Sequence, residues 1–88
     1  MNENTSLTRE YIDAILDQAT VTVTKVGKKT AVVTATLRNG FEITTTSACV
    51  DPCNYDEAEG KRIGLQRIED KLWELEGYRL QCAVTGEP

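Results

Sequence analysis

The chain predicts an α+β fold of order α-β-β-β-α-β: an antiparallel three-stranded meander plus a fourth strand, with both helices on one face of the sheet. Three observations carry that prediction. Residues 19–47 are rich in Thr and Val and alternate between two faces, the two-residue period of half-buried strands. The segments on either side, 8–19 and 56–76, repeat apolar residues at helical spacing instead. Turn chemistry falls at the joints, at Gly27-Lys28-Lys29, Asn39-Gly40 and Asp51-Pro52. Eighty-eight residues make one domain, 1–88, near the small end of what buries a core of its own, with 1–6 and 85–88 as frayed tails.

The first helix is signalled by Thr8 as N-cap, with Leu7 placed to staple against Ile12. Its inward stripe is Tyr11, Ile12, Ile15, Leu16 and Ala19. The first strand, 19–26, turns Val21 and Val23 to one face. In the second, 30–37, Ala31, Val33, Ala35 and Leu37 share a face, and in the third, 41–47, Phe41 and Ile43 do. Between the last two, Asn39-Gly40 predicts a two-residue type I′ turn, because both residues tolerate positive φ.

The other face of this meander carries Thr at most positions and Glu42 as nearly its only charge. Threonine suits strands for its own sake, which is one account of the pattern. The other is an uncharged surface buried between two copies, with Thr22, Thr24, Val32, Thr34 and Thr44 at the contact.

Pro52 fixes its own φ and pushes Asp51 toward an extended backbone, so the chain turns before any helix can start. Asp51 and Asn54 can fold back on nearby backbone groups. Asp56 then caps a helix over 57–76, Glu59 completes a capping-box pattern, and Gly77 stands as its C′ residue. The acidic first turn already fills the positive end of the helix, which makes it a poor anion site. One face of the helix reads Lys61, Gly64, Leu65, Ile68, Leu72 and Leu75. Gly60 and Gly64 each cost about 1 kcal/mol relative to Ala in a helix interior, and close packing against a neighbour is a reason for both. Trp73 falls at the stripe's margin, near Arg62 on the helical wheel, and Ile63 falls opposite the core. A core-edge Trp and a solvated Ile are the plain accounts. The functional one is a flank where Trp73, Arg62 and Ile63, with Asn54 and Tyr55 of the turn, take a partner chain or a planar ligand. After Gly77, alternation of Tyr78, Leu80, Cys82 and Val84 reads as the fourth strand, with the long helix as its crossover.

The formal charge of −4 argues against a general nucleic-acid binder. Lys25, Lys28, Lys29 and Arg38 cluster around the first hairpin, where edge protection explains them as readily as an anion site does. Neither a membrane span nor an export signal is readable, so the expected compartment is the cytoplasm and the expected state of the three Cys is reduced. With three Cys and no His, Cys49, Cys53 and Cys82 do not make a zinc set, and no cofactor is expected. The familiar hydrolase, phosphate-loop and dinucleotide motifs are missing, and a Cys49 nucleophile would have only Asp51 or Asp56 as a nearby base. A non-enzyme is the expectation.

The stretch SACVDPCNYDEAEGKRIGLQRIEDKLWELEGYRLQ resembles a family of small phage and prophage proteins described by members from phages N4 and Sf6. The most specific blocks are Ser47 to Pro52, Asn54-Tyr55-Asp56 and Trp73 to Tyr78, and the resemblance extends to the helix TREYIDAILDQA and the strand–NG–strand element. Cys49 belongs to the family pattern and Cys53 does not, which weakens a Cys49/Cys53 pair. The resemblance implies an accessory protein acting in the host cytoplasm and supplies no catalytic residues. Three functions follow as expectations. The first is a homo-oligomer, a dimer first, that binds stoichiometrically and sequesters a nucleotide-type defence signal. The second is an inhibitor docking on a host protein through the helix flank. The third is an enzyme using Cys49.

Overall fold

The computed structural model describes residues 6–49, 51 and 55–88. Among them the order is α1 (Arg9–Asp17), β1 (Thr20–Val26), β2 (Thr30–Thr36), β3 (Glu42–Ala48) and α2 (Glu57–Thr85). The sheet is an antiparallel meander in the order β1-β2-β3, as the alternation predicts.

Local chemistry explains the boundaries. Tyr11 N–H donates to Thr8 Oγ1 at 3.2 Å, so Thr8 caps α1. Gly27, at φ 70°, turns β1 into β2. The second hairpin differs from the expected two-residue turn. Leu37 N–H donates to the Phe41 carbonyl at 2.8 Å and Gly40 N–H to the Leu37 carbonyl at 2.9 Å. That encloses Arg38, Asn39 and Gly40 in a three-residue loop, with Gly40 at φ 91°. Asn39 contributes through its side chain, accepting from Phe41 N–H at 2.9 Å. Phe41, expected on the inward face with Ile43, stays exposed beyond the start of β3 although it bonds Leu37 in the register of Ala35 and Ile43.

One sheet face carries the core. Ala31, Val33 and Ala35 of β2 and Ile43 of β3 are buried, and Val33, Ala35 and Ile43 form one apolar cluster with Ile12, Ile68 and Leu72. α2 lies along β2 and β3, with Gly60, Gly64, Ile68 and Leu72 as its buried residues. A contact line with steps of four drifts slowly around a helix of 3.6 residues per turn, so α2 crosses the sheet obliquely. This moves the expected stripe. Lys61 is exposed, Gly60 is buried in its place, and Leu65 and Leu75 are half-buried.

The two glycines are where helix and sheet come closest. A Cβ on Gly60 would lie 2.8 Å from Ala31 Cβ, and one on Gly64 would lie 2.7 Å from Val33 Cβ and 3.2 Å from Thr45 Oγ1. No alanine fits without something moving. Thr45 uses the closeness, donating from Oγ1 to the Gly64 carbonyl at 3.0 Å.

The fourth strand does not form. Tyr78 to Val84 continue α2, which runs 29 residues to Thr85, and Gly77 lies inside the helix rather than at its end. The true C-cap is Gly86, at φ 74°, whose N–H donates to the Cys82 carbonyl at 2.8 Å. Thr85, expected in the tail, closes the last turn by donating from Oγ1 to the Gln81 carbonyl at 2.9 Å. Alternation of Tyr78, Leu80, Cys82 and Val84 also supplies the i,i+4 pairs 78/82 and 80/84, which a helix accepts as readily as a strand does. Tertiary contact decides: Tyr11 of α1 donates to Glu76 Oε1 at 3.1 Å, and Arg79 donates to Tyr11 Oη and to Glu76 Oε1, each at 2.9 Å. No helix in the described residues is long and apolar enough to cross a membrane.

Candidate functional site

The cap end of α2 holds the turn residues. Asp56 Oδ1 accepts from Ala58 N–H at 2.9 Å and from Glu59 N–H at 3.3 Å, as an N-cap should. Glu59 pairs with Arg62 one turn on. The hydrogen bond from that guanidinium holds the Glu59 carboxyl below its ordinary range and raises Arg62 in return. Beside this cap is a groove of about 240 Å³ lined by Lys29, Cys49, Tyr55, Gly60 and Ile63, among others. Lys25 Nζ stands 4.5 Å from the Tyr55 ring centre, within the range of a cation–π contact. The Tyr55 hydroxyl is buried with no hydrogen-bond partner among the described residues.

Cys49 is a free thiol, half-buried at the end of β3. Its Sγ donates to the Asp51 carbonyl at 3.1 Å and lies 3.6 Å from the Lys29 carbonyl, so its contacts are backbone acceptors. Cys82 is also a free thiol, and a hydrogen bond to it raises the Tyr78 phenol. Among the described residues no group of three His, Cys, Asp or Glu is placed to hold a metal ion.

The flank expected from the helical wheel is extended rather than a single groove. Arg62 and Trp73 point to similar sides of α2, but they are eleven residues apart, roughly 16 Å along the axis. Arg62 lines a groove with Asp13, Asp17, Leu65 and Glu69. Trp73 is partly buried against the core cluster, and Ile63 belongs to the Tyr55 groove. Tyr55 and Ile63 are thus brought together, whereas Arg62 and Trp73 are each placed elsewhere. Pro52 and Asn54 lie outside the described residues.

A further cluster was not legible beforehand. Tyr11, Glu76 and Arg79 bound a groove of about 390 Å³ between the start of α1 and the end of α2. Bonds to Glu76 and Tyr11 raise the Arg79 guanidinium. The i,i+3 spacing of Glu76 and Arg79 was its only sequence signal.

The remaining surface is the sheet face away from the core. Its cross-strand rows are Thr20–Thr36–Glu42, Thr22–Thr34–Thr44, Thr24–Val32–Thr46 and Val26–Thr30–Ala48. The edge-strand members are exposed and those of the central strand intermediate. In the second row Thr34 and Thr44 share a hydrogen bond between their hydroxyls at 3.2 Å.

Residues 7–84, from the approach to α1 through almost the whole of α2, match the model of the phage protein (N4 Gp49/phage Sf6 gene 66) family. The chain belongs to that family. The match takes in α1, the three strands and all but the last residue of α2, and the family description assigns no activity. No curated protein and no solved structure matches the chain.

Proposed function

We propose that this phage-family protein is a non-enzymatic accessory factor that acts by stoichiometric binding in the host cytoplasm, as a homodimer joined through the threonine face. The observation that carries this is the twelve-position grid of that face, which holds one charge, Glu42, at a corner. Thr22, Thr24, Val32, Thr34 and Thr44 form its middle. Methyl groups there can pack against a second sheet while hydroxyls find partners, as Thr34 and Thr44 already do. Light scattering tests the contact. A mass of at least twice the 9.8 kDa of one chain is expected, with Thr34→Lys halving it while the chain stays folded. A wild-type monomer at millimolar concentration would contradict the reading.

The narrower form of this function is sequestration of a nucleotide-type defence signal. Its support is the cap-end groove, where the Tyr55 ring and Ile63 offer an apolar wall and Lys25 and Lys29 stand nearby. Thermal shift against nucleotides and cyclic oligonucleotides is its test, and the absence of any stabilisation would remove it. The alternative, docking on a host protein through Ile63, Arg62 and Trp73, predicts a partner captured by the wild type and lost with Trp73→Ala and Ile63→Ser. An enzyme using Cys49 predicts that Cys49→Ser abolishes the biological effect.

A further inference from the structure

The two edges of the sheet are not equivalent. Cys49 N–H donates to the Lys29 carbonyl at 3.0 Å and Leu37 N–H to the Phe41 carbonyl at 2.8 Å. In the observed register the odd-numbered residues of β2 therefore bond β3, and the even-numbered ones bond β1. Thr20, Thr22, Thr24 and Val26 use their backbone groups on β2. Val21, Val23 and Lys25 point theirs out of the sheet. On β3 the outward groups belong to Glu42, Thr44, Thr46 and Ala48, and there Arg67 of α2 reaches across and donates to the Thr46 carbonyl. The β3 edge is guarded. No described residue donates to or accepts from the outward groups of β1, which pairs with β2 over all seven of its residues and contains no proline. An unguarded edge of that length is a template for another strand.

We infer that β1 pairs with β1 of a second copy, antiparallel about a two-fold axis through Val23. The register centred there sets Val23 opposite Val23 and Val21 opposite Lys25 at both ends, so all three outward residues exchange hydrogen bonds. It also places charge well. Facing residues lie on the same side of a sheet, so Lys25 of the second copy comes beside Val21, at a groove of about 510 Å³ shared with Leu16, Leu65, Asp13, Asp17, Glu69 and Arg62, whose guanidinium is already paired with Glu59. Arg9 pairs with Asp13 and Glu69. Asp17 has no ion-pair partner among the described residues, and Lys25 is an exposed cation whose recorded contact is the Tyr55 ring. Lysine meets a groove that holds carboxylates, not a second lysine, which offsets the usual protection of an edge by a lone Lys. On the other face Thr22 lies opposite Thr24, so the threonine grid continues across a six-stranded sheet. This contact is separate from face-to-face stacking and does not rest on it.

Amide exchange on the native chain tests the inference, together with its mass. The expected result is a mass of at least twice 9.8 kDa, with the amides of Val21, Val23 and Lys25 exchanging as slowly as those of Thr22 and Thr24. Val23→Pro removes an N–H that β2 does not use, at an edge position where proline is tolerated. It should keep the circular dichroism of the wild type, halve the mass and release the amides of Val21 and Lys25. Free exchange of these three amides in the wild type at millimolar concentration overturns the inference, as does a folded Val23→Pro of unchanged mass. If Val23→Pro does not fold, exchange in the wild type decides alone. Thr34→Lys leaves the three amides protected if only the stacked face is lost, so the two contacts fail separately.

Discussion

The two halves of α2 are one continuous helix built on opposite terms. From Gly60 to Leu72 every fourth residue is buried on the sheet, and two of these are glycines because the strands leave no room for a Cβ. From Trp73 to Thr85 no residue is fully buried: Trp73 and Leu75 still pack against the edge of the core cluster, Glu76 and Arg79 bond Tyr11 of α1, and Tyr78 and Val84 stay exposed. Length explains the division. Twenty-nine helical residues reach roughly 43 Å, whereas the seven-residue strands span roughly 23 Å. The first half is held by packing, the second by its own hydrogen bonds and a polar latch.

The sharpest way to break this comparison is to cut the same volume from each half. Leu72 is 1% exposed, so Leu72→Ala should cost about 2–5 kcal/mol. Leu80, half-buried in the outer half, should cost well under that. Equal losses in chemical denaturation would mean that the two halves are packed alike.

Next in size is Gly64→Ala. Helix propensity alone would gain about 1 kcal/mol, but the new methyl would collide with Val33 and crowd Thr45. Overpacking of this kind costs about 1–3 kcal/mol. A net loss in thermal or urea unfolding is expected. A gain would show that helix and sheet separate freely.

These glycines also mark what could be read from the chain. The GxxxG spacing signalled close approach because glycine in a helix interior has an entropic cost that only packing explains. The strand faces were legible too, since a period of two commits every residue once Val33 is placed. Other features depended on information that no local pattern holds. Tyr78 to Val84 satisfied both a strand and a helix, and a contact with Tyr11, far away in sequence, settled which. Arg62 and Trp73 looked like neighbours because a helical wheel discards the axial coordinate. The free edge at Val21, Val23 and Lys25 became visible only once strand order and hydrogen-bond phase were known.

Gly77 gives the converse of Gly64. Nothing lies within 4 Å of a Cβ built there, and its φ is not positive. Gly77→Ala should therefore stabilise the protein by up to about 1 kcal/mol, the propensity difference alone. Had Gly77 ended the helix in a left-handed conformation, the same change would destabilise it. The sign of the shift in Tm thus distinguishes a helix that runs to Thr85 from one that stops at Glu76.

The smallest effect is in pH. Glu59 and Glu76 each pair with an Arg three residues on, but Glu59 stands exposed at the helix start, and its carboxyl is held below the ordinary 4.5 chiefly by the hydrogen bond from Arg62. A lowered carboxyl pKa contributes stability that is complete above the unfolded value near 4.5 and is lost as the pH falls through the folded one. Wild type and Glu59→Gln should therefore differ slightly in Tm at neutral pH and converge under acid, and added salt should shrink the neutral-pH gap. A gap that persists in acid would assign the role of Glu59 to something other than its charge. Glu76→Gln, by contrast, weakens bonds from both Tyr11 and Arg79, so it should lower the neutral-pH Tm by more than Glu59→Gln does: the outer half of the helix depends on an acceptor shared with α1, whereas Glu59 pairs with Arg62 of its own helix.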